Sequence, residues 1–411
     1  MYEDLYMDLK SEHTSIRDMV HRFAKEVLRP TAFELDKLTA NEVIESDLYW
    51  STMKQAYELG LHKILIPEEY GGLGLDPLGV HIVLEELGWG SASFAISVGV
   101  SSFPSMACCM LAGDQEYLIK KFVEPFVEDK EAKFIGCWAI TEPDHGSDWL
   151  MFNKLIGKIS YNLTAKKKET KWILNGQKSA WVSNGPIATH SFLFPMIKSE
   201  DGTTSGGICL VPLHETKGIS KGKPLEKTGQ RALPQGEIYF DNAEVPEEFM
   251  IVDNEELFSF ALDSTLAIAN AAMGAIFTGV ARAAFEEALK YSKERIQGGM
   301  TILQHQTIQQ ILFRMFQRCE TARYISRAAM IYNYSNVPPK LRYSIVSKVH
   351  CTEAAYLNAN DAIQIFGGLG LCKETPVEMI WRDARASLIE DGCNETLALS
   401  AVDSFDELDL S

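Results

Sequence analysis

A chain of 411 residues, 46% hydrophobic and 23% charged, has the composition of a folded globular protein of about two to four domains, which excludes disorder and collagen-like repeats. With 39 Lys and Arg against 56 Asp and Glu, its net charge of −17 repels phosphate backbones and argues against a nucleic-acid binder, while leaving room for a local basic pocket. Eight scattered cysteines without a CxxC pair, and histidines without metal-ligand spacing, point to a reducing cytoplasm and to no zinc or other metal site.

The first 22 residues are acidic and amphipathic and lack the apolar core of a signal peptide. From Ser11, apolar residues at Ile16, Met19, Val20, Phe23 and Val27 share one face of a helix. Helical spacing returns at Leu48–Leu59, His81–Leu87 and Asp114–Val127, interrupted by the Gly-rich turn Glu68–Gly74. A helical domain over 1–130 is expected. Between 131 and 250 the runs become short: Phe134–Ile140, Lys171–Leu174, Ser191–Met196, Gly207–Val211 and Gly236–Phe240, bounded by Gly, Asn, Asp and Pro. This predicts a β-domain, a barrel or sandwich, with Asn175-Gly176 as a turn between strands. From 251 to 411 the helical period persists over long stretches, Phe258–Ser292, His305–Tyr332 and Leu341–Phe366, which reads as an antiparallel bundle. Ser264–Val280 is rich in Ala and Gly and too short to span a membrane, so it is expected as a buried helix.

Several segments carry chemistry. Thr141-Glu142-Pro143-Asp144-His145-Gly146-Ser147-Asp148 follows a strand and presents hydroxyls and backbone N–H groups, suited to a pyrimidine edge or phosphate, or forming only a polar turn. Trp181 and Ser183, expected on a strand, offer an aromatic face and a hydroxyl to a flat ligand; the alternative is a core Trp. Arg295, with Gly298-Gly299 and the helix start at His305-Gln306, either clamps a pyrophosphate or ends a helix as a solvated Arg. Gln364 with Gly367-Gly368 permits close backbone approach or simply ends a helix. Arg382-Asp383-Ala384 precedes Glu390-Asp391-Gly392, where adjacent carboxylates supply a general base or a surface turn.

Taken together, the TEPxxGSD segment, the NGxKxWxxNG segment Asn175–Gly185, Arg295 with His305-Gln306, Gln364 with Gly367-Gly368, and the RDA at 382–384 resemble the acyl-CoA dehydrogenase superfamily over nearly the whole chain. The resemblance implies an α+β fold: an N-terminal helical domain, a middle β-barrel domain and a C-terminal four-helix bundle, assembled as a homotetramer. It implies FAD between the β-domain and the bundle, with Ile140 and Thr141 at the pyrimidine, Trp138 on the same strand, Trp181 and Ser183 on the N5 side, and Ser147 near the pyrophosphate. Arg295, Gln306, Gln364, Gly367 and Gly368 would come from a neighbouring subunit, and Cys393 and Glu395 would complete the cofactor set. The implied reaction moves an α-proton to a carboxylate and a β-hydride to the flavin, on an acyl-CoA or acyl-carrier-protein substrate, with an electron-transfer flavoprotein as acceptor.

Four positions depart from the family pattern. The residue before Gly392 is Asp391 rather than Glu, as in nitroalkane oxidase-like relatives, and Glu390 stands where a Tyr is usual, so Asp391 is the expected base with Glu390 in reserve. Asn270 occupies the place of an Arg that holds the CoA portion, and Cys393 that of a Thr. These departures motivate an alternative: a flavin oxidase or elimination enzyme acting on a non-CoA or carrier-bound carbon acid. The Lys166–Lys168 and Lys217–Lys227 stretches either contact phosphates or form solvated charge runs.

Overall fold

The structure, a computed structural model, describes residues 5, 9–151, 161–198 and 204–408. Its N-terminal third folds into α1 (Ser11–Phe23), α2 (Arg29–Leu35), α3 (Ala40–Glu45), α4 (Asp47–Glu58), α5 (Pro77–Gly90), α6 (Ala92–Ser101), α7 (Phe103–Ala112) and two single turns, α8 (Glu116–Leu118) and α9 (Glu124–Val127). Polar caps set several of these starts. Thr39 and Glu42 cap α3 reciprocally, and Asp76 accepts the Gly79 N–H at 2.8 Å ahead of Pro77, whose missing N–H costs nothing in the first turn of α5. Helices α6 and α7 are apolar almost all round and buried, so they carry no one-sided period for the sequence to reveal.

The middle of the chain forms β1 (Gly136–Ala139), β2 (Thr164–Lys168), β3 (Lys171–Lys178), β4 (His190–Leu193), β5 (Met196–Lys198), β6 (Thr204–Gly206), β7 (Ile208–Pro212), β8 (Ile219–Lys221), β9 (Ile238–Pro246) and β10 (Met250–Val252). They make two sheets, ordered β1-β4-β7-β10 and β6-β5-β2-β3-β9-β8. The chain crosses between sheets at Phe194-Pro195 and again at Gly207, the corner-turning by which two sheets close on a shared core. Asn175-Gly176 is not the predicted turn. It lies inside β3, where the register against β9 slips between Leu174 and Gly176 and Gly176 takes φ 125°. A Cβ there would meet the Asn162 carbonyl at 1.9 Å, so the glycine marks a bulge and a close backbone approach. Trp181 and Ser183 correspondingly lie beyond the end of β3, in the turn that follows, rather than on a strand.

Five helices complete the chain: α10 (Glu255–Glu294), α11 (Gln306–Ser335), α12 (Leu341–Phe366), α13 (Pro376–Ala386) and α14 (Asn394–Asp403). Ser264–Val280 lies within α10, mostly buried as expected; α10 is long and apolar enough to cross a membrane, but its most apolar window is packed inside the protein. Helices α5 and α10 cross at backbone contact. A Cβ on Gly88 would meet the Ile276 carbonyl at 2.0 Å, and one on Gly279 the Glu85 carbonyl at 2.0 Å. Beside this crossing, buried Glu85 pairs with Arg282 of α10 at 2.6 Å and with Arg323 of α11 at 3.0 Å, tying the first domain to the bundle.

Candidate active site

Helix α13 ends at Ala386, and the chain turns through Leu388–Cys393 before α14, closed by the Asn394 N–H on the Leu388 carbonyl at 3.1 Å. Within this turn Asp391 adopts φ 51° and Gly392 φ 93°. A non-glycine residue in that region costs on the order of 1 kcal/mol, so something must hold it. Two side chains do. Lys348 of α12, fully buried, donates to the Gly392 carbonyl and to Asn394 Oδ1, both at 2.8 Å. Asn270 of α10, also fully buried, donates to the Leu266 carbonyl at 3.0 Å and reaches the Asp391 carbonyl at 3.5 Å. Asn270 therefore supports the turn from α10.

The two adjacent carboxylates are treated differently. Glu390 accepts a hydrogen bond from the Gln230 side-chain amide, whose backbone N–H in turn goes to Asp383. Asp391 accepts no side-chain hydrogen bond among the described residues. Burial pushes the Asp391 carboxyl above its usual range, opposed by the Lys348 ammonium. Burial, then repulsion from Asp391, lifts Glu390 to about 7, and burial lifts Asp383 to about 7. Burial lowers Lys348 to about 8 against the pull of Asp391 and Glu390, and lowers Lys227 to about 8. Lys227 is thus no solvated charge: it donates at 2.7 Å to both the Leu233 carbonyl and Gln235 Oε1.

The β-domain meets this turn from the segment that leaves β1. Buried Lys178 donates to the Ile140 carbonyl at 2.9 Å and pairs with Glu142 at 2.8 Å, fixing the segment that leaves β1. Thr141 and Ser179 share a hydroxyl hydrogen bond at 2.7 Å. Ser183 Oγ accepts from Gln235 at 3.1 Å. Ser147 Oγ accepts the Cys393 backbone N–H at 2.9 Å, joining this loop directly to the carboxylate turn. The Cys393 thiol finds a partner in the Thr396 hydroxyl at 2.9 Å, and Glu395 lies exposed in the first turn of α14. Arg382 of the RDA bonds Asp36 with both terminal nitrogens, at 3.0 and 2.6 Å, as well as Glu378 and the Thr228 carbonyl; it joins all three parts of the chain.

These groups fit a flat, polar-edged cofactor. The Trp138 indole, stacked on Phe103 at 5.4 Å, has a buried N–H without an acceptor among the described residues. Trp181 leaves 61% of its surface exposed, an open aromatic face, and a Cβ on Gly146 would meet nothing within 4 Å. Arg295, Gln306, Gln364, Gly367 and Gly368 are elsewhere. They cluster at the far end of the bundle, where Tyr291 of α10 stacks on Phe366 of α12 at 4.1 Å. All five are exposed. Asn270 and Arg295 stand twenty-five residues apart along α10, about 37 Å at helical rise. One protomer does not bring the two groups together.

Sequence reasoning missed Lys348 and Gln230, and it gave no structural role to Asn184 of the Asn175–Gly185 segment. Lys348 had a signal: it falls in the buried register of Ile345, Thr352 and Ala355, where a lone cation needs an anion. Asn184, at φ 62°, exchanges hydrogen bonds with Ser97 and donates to the Gly136 carbonyl, tying β1 to α6.

Three family models cover most of the chain: acyl-CoA dehydrogenase, N-terminal domain (residues 10–129), middle domain (137–243) and C-terminal domain (259–403). The mitochondrial short-chain specific acyl-CoA dehydrogenase of Rattus norvegicus is 31% identical over 390 residues, 95% of this chain and 89% of that protein. Butyryl-CoA dehydrogenase from Megasphaera elsdenii superposes with a TM-score of 0.84 at 25% identity, covering 98% of this chain and 100% of the other. Nitroalkane oxidase superposes at 0.87 over 99% and 98% of the two chains, at 22% identity, a likeness of fold alone.

Proposed function

The chain belongs to the acyl-CoA dehydrogenase family, an oxidoreductase family of flavoproteins, and on that premise we propose that it binds FAD and oxidises an acyl-CoA thioester to the 2,3-enoyl product. One observation carries the reading: the Cys393–Ser147 hydrogen bond sets the Asp391 turn against the loop that leaves β1, so a carboxylate and a set of flavin-suited donors share one site.

In this reading the ring would meet Trp138, Ile140, Thr141, Trp181 and Ser183, with Ser147 toward the pyrophosphate. Arg295, Gln306, Gln364, Gly367 and Gly368 of a second subunit would hold the adenine half. Their distance from Asp391 within one protomer supports an oligomeric site. Cys393 and Glu395 flank the cofactor beside the base. When bound, FAD supplies the hydride acceptor of the reaction.

Asp391 takes the α-proton. Its carboxylate is free of hydrogen bonds among the described residues, and burial favours its neutral form, so it gains a proton readily. Glu390, bonded to Gln230, is already engaged and serves as the fixed neighbour rather than the acceptor. Closure of substrate over this site excludes water, which strengthens each of these charge interactions.

The test is anaerobic reduction of the loaded enzyme by short, branched and cyclic acyl-CoAs. Bleaching by any of them supports the assignment, and none by all of them removes it. Asn270, a neutral amide where a cation is usual, favours a second reading: oxidation of a non-CoA or carrier-bound carbon acid, recognised by oxygen consumption with peroxide release. An electron-transfer flavoprotein is the acceptor under the first reading, and a homotetramer is the proposed assembly.

A further inference from the structure

We propose that Lys348 is a positioning residue for the base: its buried ammonium grips the turn at Gly392 and Asn394, fixing where Asp391 points and giving that carboxylate its compensating charge. This rests on Asp391 being the proton acceptor.

The geometry argues for more than packing. A lysine buried to 0% exposure is among the costlier groups a core can hold, and a methionine would fill the space without that cost. Lys348 spends two of its three donors, at 2.8 Å each, on the strained turn. Thr352, one helical turn further along α12, receives a hydrogen bond from the Asn394 amide at 3.1 Å, so both ends of the Asn394 side chain are anchored to α12. The turn is thereby fixed to the bundle from beneath, while Asn270 reaches the Asp391 carbonyl from α10. A left-handed Asp391 needs such anchoring, since relaxation to an ordinary backbone conformation would swing its carboxylate away.

The charged groups around Lys348 are Asp391 and Glu390 in the turn, with Cys393 and Glu395 where α14 begins. Beyond Glu390 stand Lys227 from the β8–β9 loop and Asp383 from α13. Removing the Lys348 charge takes away the cation that opposes the burial of Asp391. Its proton affinity then rises.

The experiment follows the Asp391 carboxyl by carbon NMR in the full-length protein carrying ¹³C-labelled aspartate, its signal assigned by loss in Asp391→Asn. Lys348→Gln keeps a donor to the Gly392 carbonyl but not the charge; Lys348→Met keeps neither. Expected is an upward shift of the Asp391 midpoint by about one unit or more in both variants, a tenfold change in proton affinity. The acid limb of flavin reduction by acyl-CoA should move by the same amount. A carboxyl titration matching that of the unaltered protein in either folded variant overturns the proposal. Should neither fold, the Lys348 ammonium is followed by nitrogen NMR in the unaltered protein and in Asp391→Asn. A midpoint that drops in Asp391→Asn supports the charge coupling, and an unchanged one overturns it. Because the titrations need no turnover, a shifted midpoint with no flavin reduction by any thioester would refute the proposed reaction and leave the Lys348–Asp391 link standing.

Discussion

Cys393 donates its backbone N–H to Ser147 Oγ at 2.9 Å, across 246 residues of chain. That contact couples the last turn of the bundle to the loop leaving β1, and places Asp391 two residues from the β-domain. The division of labour between the two carboxylates follows from what each already touches. Asp391→Asn should retain fold and flavin while flavin reduction by substrate slows on the order of 10³-fold, the usual scale of a lost general base. Glu390→Gln, which keeps a partner for Gln230, should slow it less than tenfold. Stopped-flow absorbance reads both.

Asp391→Glu tests reach. The turn is pinned by Lys348 and Asn270 for the shorter side chain, so an added methylene, about 1 Å, displaces the carboxylate instead of improving it. A loss of about 10–100-fold in kcat/KM is expected. A gain would mean that the substrate lies farther away than the Asp geometry implies.

Arg382 joins Asp36, the residue after α2, to Glu378 and the Thr228 carbonyl from a nearly buried position. Arg382→Met removes the partner of Glu378 and leaves Asp36 with Arg231 at 3.8 Å, and should destabilise by about 3 kcal/mol, seen as an earlier urea midpoint. Its effect on the chemical step should be secondary.

The far-end cluster makes a separate prediction. Arg295→Ala should leave the protomer's fold unchanged, because Arg295 is exposed at the end of α10, yet flavin should be lost on gel filtration with an affinity drop of about tenfold or more. Full retention of flavin would place the adenine half elsewhere.

Burial holds His190, stacked on Phe134 at 3.6 Å, down at about 3. Its folded pKa lies below the unfolded value near 6.5, so its contribution is complete above that value and is lost as pH falls toward 3. At pH 5 the loss is about 2 kcal/mol, of a size to be seen as a shifted urea midpoint. His190→Phe should flatten that part of the acid dependence.

Long periodic segments were legible. The Leu341–Phe366 helix has the predicted bounds, and α10 and α11 lie within a few residues of theirs, since helical spacing sustained over many turns leaves little choice. Helices α6 and α7 were not legible, being apolar on every face. Asn175-Gly176 misled because a dipeptide suited to a hairpin also serves a bulge, and only the neighbouring strand decides. Asp391 was visible beside its glycine. What holds its turn was not, because Lys348 and Asn270 arrive from two helices distant in sequence, α12 and α10.

Mixing the FAD-loaded protein with acyl-CoAs without oxygen and following the flavin absorbance, beside Asp391→Asn, decides whether Asp391 takes a proton from a thioester substrate. Rapid bleaching by at least one thioester is expected, and nearly none in the variant. A variant that bleaches as fast as the unaltered protein would contradict that role.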